Sequence, residues 1–108
     1  MKNPPSIPVV LFTVADAMAR NALPLPAKVE ASDEFGLELA FPRHVELRRW
    51  ARFMRLPIKQ WHSHTYQRDD VPKVLTNVSG DWRDIRVRLH CCEPTTDTPA
   101  EFLPAVAA

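Results

Sequence analysis

Apolar residues recur along this chain at two different periods. From Ile85 to Cys92 they alternate: Ile85, Val87, Leu89 and Cys91 fall on one side, and Arg86, Arg88, His90 and Cys92 on the other. A period of two marks a strand with one face buried and one wet. The stretch "WRDIRVRLHCC" is the clearest element, and Asp84 joins its polar side. Leu47, Trp50, Ala51 and Met54 fall instead at i, i+3, i+4 and i+7, and Phe53 widens the stripe. That spacing predicts a helix from Pro42 to about Leu56. Leu11, Val14, Ala15 and Met18 repeat it and predict a first helix from about Pro8 to Ala22. Ser6 offers a cap, and Pro8 falls in the first turn, where a missing N–H costs little. A rival parse makes "VVLF" a strand and starts the helix at Thr13. "LPLP" at 23–26 ends the element either way.

Between the helices, "KVEAS" and "LELAF" flank "DEFG", a hairpin with an acidic face of Glu30, Glu34 and Glu38. After the second helix, "QWHSHTY" alternates and reads as a strand, and "RDDVPK" reads as a loop. "VLTNV" and the arginine-rich strand enclose "SGD" at 79–81, a second hairpin signal. The order is helix, hairpin, helix, then two or three antiparallel strands. Alternating strands need one face covered, and two amphipathic helices can cover it. The expected fold is therefore α+β. It is a two-layer sandwich with an antiparallel sheet of four to five strands under two helices.

Length divides the 108 residues into an N-terminal arm (1–7), one α+β domain (8–93) and a mobile proline-rich tail (94–108). Phe102, Leu103 and Val106 in that tail are suited to dock on a groove of this chain or of a neighbour. A core of this size is modest, so a homodimer is expected. Net charge is +1, too small for a nonspecific nucleic-acid binder. The charge is uneven: 43–90 holds eleven Lys or Arg against five Asp or Glu, and the remainder three against eight. The two regions are suited to complement each other across the fold. The only cysteines, Cys91 and Cys92, are adjacent and too close for a relaxed disulfide. Reduced thiols and a cytoplasmic location are the expectation. "MKNPPSIPVVLFTVADAMA" imitates an export signal only loosely, its apolar run being short and broken by Pro8. No apolar stretch approaches the ~20 residues of a spanning helix.

Three constellations could carry chemistry. His62 and His64 share one face of a strand, as do His90 and Cys92. Were those strands neighbours in register, the four would offer zinc a tetrahedral N, N, N, S set. Such a match is weak beside a tight C-x₂-C pattern, and solvated sheet histidines are the plainer explanation. A Cys–His nucleophile is weaker still, because nothing marks an oxyanion hole. No phosphate loop or dinucleotide fingerprint is present, and the two glycines are both placed for turns. Two basic surfaces remain: the helical stripe Arg48, Arg52 and Arg55, and the strand row Arg83, Arg86 and Arg88. Arginine suits carboxylates and phosphates because its planar fork donates two parallel bonds. The plain alternative is a wet face whose arginines pair with Glu30 and Glu38.

Arginine outnumbers lysine ten to four, and Ala and Pro are frequent. The layout "VADAMARNALPLP", an acidic hairpin, then "VELRRWARFMRLP" resembles uncharacterised small α+β proteins of high-GC actinobacteria and their phages. The resemblance implies no activity, cofactor or site residue. The expectation is a non-catalytic, cofactor-free module that binds another protein or itself, in a regulatory or accessory role. Its candidate contact residues are Arg48, Arg52, Arg55, Arg83, Arg86 and Arg88. A nucleic-acid-binding module and a zinc-binding protein are the alternatives, and no membrane partner is expected.

Overall fold

Helix α1 (Ile7–Asn21) follows Ser6, with Pro8 in its first turn. It is the first element of a computed structural model that describes residues 5–104. Ala22 closes the helix in the left-handed region at φ 50°, and the Leu23 N–H donates back to the Met18 carbonyl. Then come β1 (Lys28–Ser32), β2 (Gly36–Phe41), α2 (His44–Phe53), β3 (Trp61–Arg68), β4 (Val71–Trp82) and β5 (Ile85–Pro94). Single 3-10 turns lie at Ile58–Gln60, Thr95–Asp97 and Ala100–Phe102. No helix among the described residues is long and apolar enough to cross a membrane.

The five strands form one open sheet in the order β1-β2-β5-β4-β3. The α+β class stands, with one correction. The sheet is mixed, not antiparallel, because β2 and β5 run parallel with Leu37 opposite Val87 and Phe41 opposite Cys91. The chain leaves β2 through α2, lays down the β3–β4–β5 meander, and returns beside β2 in the same direction. A period of two reports which face a side chain takes, not which way its neighbour runs.

Both late hairpins are tighter than their sequences suggest. Arg68 pairs with Val71 and Trp82 with Ile85, leaving two-residue turns at Asp69-Asp70 and Arg83-Asp84. All four turn residues have positive φ, 50–65°, as a two-residue hairpin that follows the strand twist requires. "SGD" therefore lies inside β4, and Arg83 and Asp84 belong to a turn instead of the polar side of β5. The first hairpin turns at 33–35, and Gly36 takes φ 89° where a Cβ would overlap the Arg86 carbonyl oxygen.

Val10, Val14 and Ala17 of α1 and Leu47, Trp50, Ala51 and Met54 at α2 join one core with Leu37, Leu39, Val78, Val87 and Leu89. The α2 stripe is the expected one. The α1 stripe is rotated by one position: Leu11 and Ala15 are exposed. Trp50 is sealed, and its indole N–H donates to the Pro24 carbonyl at 2.8 Å, tying α2 to the proline stop. Trp82 is also buried, and Phe53 and Trp61 pack partly buried against the same core. The aromatic bulk thus fills the interior.

The segment after β5 also differs from expectation. Through Pro104 it crosses back over the sheet, and Phe102 is only 2% exposed. Its ring stacks on Trp61, with centroids 5.1 Å apart and planes 7° off parallel. Of the two docking places expected for Phe102, the chain's own groove is the one filled. Burial of the Phe102 ring and its stacking on Trp61 offset part of the entropy lost in ordering the segment. Val106 lies outside the described residues, as do residues 1–4 of the expected arm.

Candidate functional surfaces and a buried polar cluster

Both helices lie against one face of the sheet, so alternation leaves the other face open. Register assigns to that open face Lys28, Glu30, Glu38, Arg86, Arg88, His90, Cys92, Asp81, Lys73, His62, His64, Tyr66 and Arg68. Five Lys or Arg stand there against three Asp or Glu. Arg88 lies 3.6 Å from Glu38 and over the Phe35 ring, and His90 lies 3.7 Å from the same carboxylate. The expected pairing of strand arginines with the acidic hairpin is thus present at Arg88. Arg86 is exposed. Arg83 stacks over the Trp82 ring from the turn, 4.8 Å from its centroid.

The α2 arginines form a separate surface on the helical layer. Arg48 bonds to Glu101, and Arg52 stands 4.0 Å from the same side chain. Arg55 lies beyond the helix, at φ 59°, where the chain reverses and the Leu56 N–H reaches the Ala51 carbonyl. The six arginines therefore do not make one surface. They divide between an open sheet face, a hairpin tip and a helix partly occupied by the C-terminal segment.

The histidine–cysteine set does not converge. His62 is level with Asn77, and Asn77 with His90; His64, Leu75 and Cys92 form the next row. Strand β4 lies between the two pairs and separates their backbones by about 10 Å, and among the described residues these side chains form no group able to hold a metal ion. Ligand atoms sharing a zinc ion lie within about 4 Å of one another. The zinc alternative at these residues required β3 and β5 to be neighbours, and β4 lies between them. Cys92 is instead paired with the Tyr66 hydroxyl at 2.6 Å. That bond holds the phenol proton and is the main reason its pKa lies above the usual 10.

Polar chemistry gathers on the covered face. His44 opens α2 and is fully buried. Its Nδ1 lies 2.7 Å from Glu93 Oε1, and its backbone N–H donates to the same oxygen at 3.0 Å. Its Nε2 lies 2.8 Å from Thr76 Oγ1, which lies 2.7 Å from Ser63 Oγ. Burial lowers the imidazole pKa, outweighing the opposing pull of Glu93. A neutral ring between a carboxylate and a hydroxyl has one consistent proton arrangement. Nδ1–H donates to Glu93, Thr76 O–H donates to Nε2, and Ser63 O–H donates to Thr76. Cys91 Sγ completes the group, 3.4 Å from Nδ1. Its thiol is pushed up to about 12 by burial first and by Glu93 next. Phe102 covers the imidazole, with ring centroids 4.7 Å apart. Ser63 faces a groove of about 350 Å³ lined by Ile58, Trp61, His62, Glu101 and Leu103. A second groove of about 520 Å³ lies at the other end, between the start of α1 and the hairpin tips, and Arg86 lines it.

None of His44, Thr76 and Glu93 stands out in the sequence as a site, yet each occupies a core position of its own element. Glu93 extends the inward series Ile85, Val87, Leu89, Cys91. Thr76 lies between Val74 and Val78 on the inward side of β4. His44 precedes Leu47 by three. An ionisable or polar residue continuing an apolar series is the available signal, since such a group must find a partner when buried. No protein-family model, curated protein or solved structure matches this chain.

Proposed function

We propose that this protein is a binding module whose open sheet face receives an acidic segment of another protein, with Arg86 and Arg88 as its central contacts. The observation that carries this reading is the asymmetry of the sheet. One face is covered by both helices, and the other keeps five basic side chains among three acidic ones, with three histidines between them. A guanidinium offers a planar fork of donors that matches a carboxylate, so less freedom is lost per hydrogen bond formed. Two copies present like charge on this face, so it is poorly suited to self-pairing. Nucleic acid is the weaker reading because net charge is only +1.

The test is fluorescence anisotropy with a labelled oligoglutamate peptide and, separately, a labelled single-stranded oligonucleotide. The peptide binds with marked salt dependence, and Arg86→Ala with Arg88→Ala weakens it about tenfold, whereas Arg52→Ala leaves it unchanged. Preference for the oligonucleotide selects the nucleic-acid reading. Equal loss in both variants rejects the open face. Light scattering on the same samples reads self-association.

A further inference from the structure

We propose that His44, Cys91 and Glu93 form a zinc-binding site on the covered face of the sheet, with Glu46 as the source of a fourth donor. Among the described residues these are the only three or more of His, Cys, Asp or Glu whose donor atoms come together, all within 4.8 Å and all buried. The fold builds the group. Cys91 and Glu93 are two apart on β5 and share its inward face. The parallel pairing of β2 with β5 ends at Phe41 opposite Cys91, and α2 then begins with His44 directly above.

Donor chemistry selects the metal. Nitrogen, sulfur and oxygen together suit zinc, whereas calcium and magnesium take oxygen ligands. Zinc bonds of about 2.0–2.3 Å in a tetrahedron set N and S about 3.5 Å apart. The Sγ–Nδ1 separation is 3.4 Å. The Nδ1–Oε1 separation of 2.7 Å is a hydrogen bond that opens by roughly 0.7 Å to admit the ion. A further carboxylate lies in the first turn of α2. Glu46 has one oxygen buried without a hydrogen-bond partner, and its charge reaches the Cys91 thiol. Glu93 thus stands by the thiol and a neutral imidazole, and once the thiol is ionised its charge and that of Glu93 together balance a divalent cation. A zinc ion also reverses the state of the thiol, because a coordinating sulfur gives up its proton.

Binding is an exchange of one proton for one zinc ion. The Cys91 S–H proton leaves for solvent as the sulfur–zinc bond forms. The His44 proton passes from Nδ1 to Nε2, so Nδ1 presents its lone pair to the metal. Nε2–H then donates to Thr76, whose hydroxyl turns to Ser63. The two hydroxyls thereby hold the ring in its ligating tautomer, as partners of metal-bound histidines commonly do.

The experiment uses the full chain carrying Cys92→Ser, so that Cys91 is the sole thiol. The protein is stripped with chelator and titrated with Co²⁺ as the spectroscopic probe, and with Zn²⁺ for melting. One equivalent of Co²⁺ gives a thiolate-to-cobalt charge-transfer band, and saturating Zn²⁺ raises Tm by about 5 °C or more. Adding Glu93→Gln weakens Co²⁺ binding at least tenfold. Replacing His62, His64 and His90 together by Asn leaves the band intact. The absence of a charge-transfer band in the Cys92→Ser protein overturns the proposal, and so does its persistence when Cys91→Ala is added.

Discussion

Two neighbouring cysteines on β5 occupy different environments. Cys91 is sealed beneath α2, and burial and Glu93 hold its thiol near 12. Cys92, one residue on, is exposed on the open face and paired with Tyr66. The contrast runs along the strand. Inward, Ile85, Val87 and Leu89 lead to a compact polar group in which the imidazole, the carboxylate and the two hydroxyls are joined by hydrogen bonds. Outward, Arg86 and Arg88 are exposed, Arg86 stands opposite Asp81, and Arg88 and His90 share the Glu38 carboxylate. The two faces therefore suit different work. Buried polar groups act through fixed geometry and low dielectric, and exposed charges act through long-range attraction that salt weakens.

The largest expected difference is in thiol reactivity. A short pulse of iodoacetamide on native protein labels Cys92 at least a thousandfold faster than Cys91, because Cys91 reacts only after the domain opens. Mass spectrometry of the labelled peptide reads the ratio, and comparable rates would erase the distinction between the faces. Stability comes next. Phe102→Ala removes the ring that covers His44 and costs about 3–5 kcal/mol in urea unfolding. Glu93→Ala strands the His44 ring and backbone N–H groups and costs about 3 kcal/mol. If either variant unfolds like the parent, the inward cluster is not closed as described.

A smaller effect is tied to pH. Burial sets the folded His44 pKa below its ordinary 6.5. The unfolded chain then takes this proton more readily than the folded one. The stabilising contribution is complete above about pH 6.5 and is lost as pH falls from there toward the depressed folded pKa. Chelator-treated protein should need less urea to unfold near pH 5.5 than near pH 7.5, and His44→Gln should flatten that slope. An unchanged slope would mean the ring is not held neutral. The smallest effect belongs to the outer row: Arg86→Ala and Arg88→Ala each shift stability by less than about 0.5 kcal/mol. A cost above 1 kcal/mol would give those arginines a structural role.

How much of this is legible in the sequence varies by element. Helix α2 and strand β5 are read almost whole, because each has a strong local period and a large apolar component. Helix α1 is read with its stripe one position off, since nearly every residue from Val9 to Val14 is apolar and the period is blurred. The turns at Asp69-Asp70 and Arg83-Asp84 are misread because neither contains glycine, the residue that usually marks positive φ. The zinc alternative rested on histidines that sit at wet positions of β3 and β5. The ligating groups that do meet sit at dry ones, where Glu93 is the residue that breaks the pattern.

The amino-acid order alone settles what is local: which segments coil or extend, and which side of each seeks the interior. A side chain's face follows from the period of its own backbone, so a few consecutive residues suffice. The order does not settle which strands become neighbours. Placing β5 parallel to β2 joins His44 to Glu93 across 49 residues, and placing β4 between β3 and β5 keeps His62 from His90. Those contacts depend on how the whole core packs, and only the assembled sheet decides them.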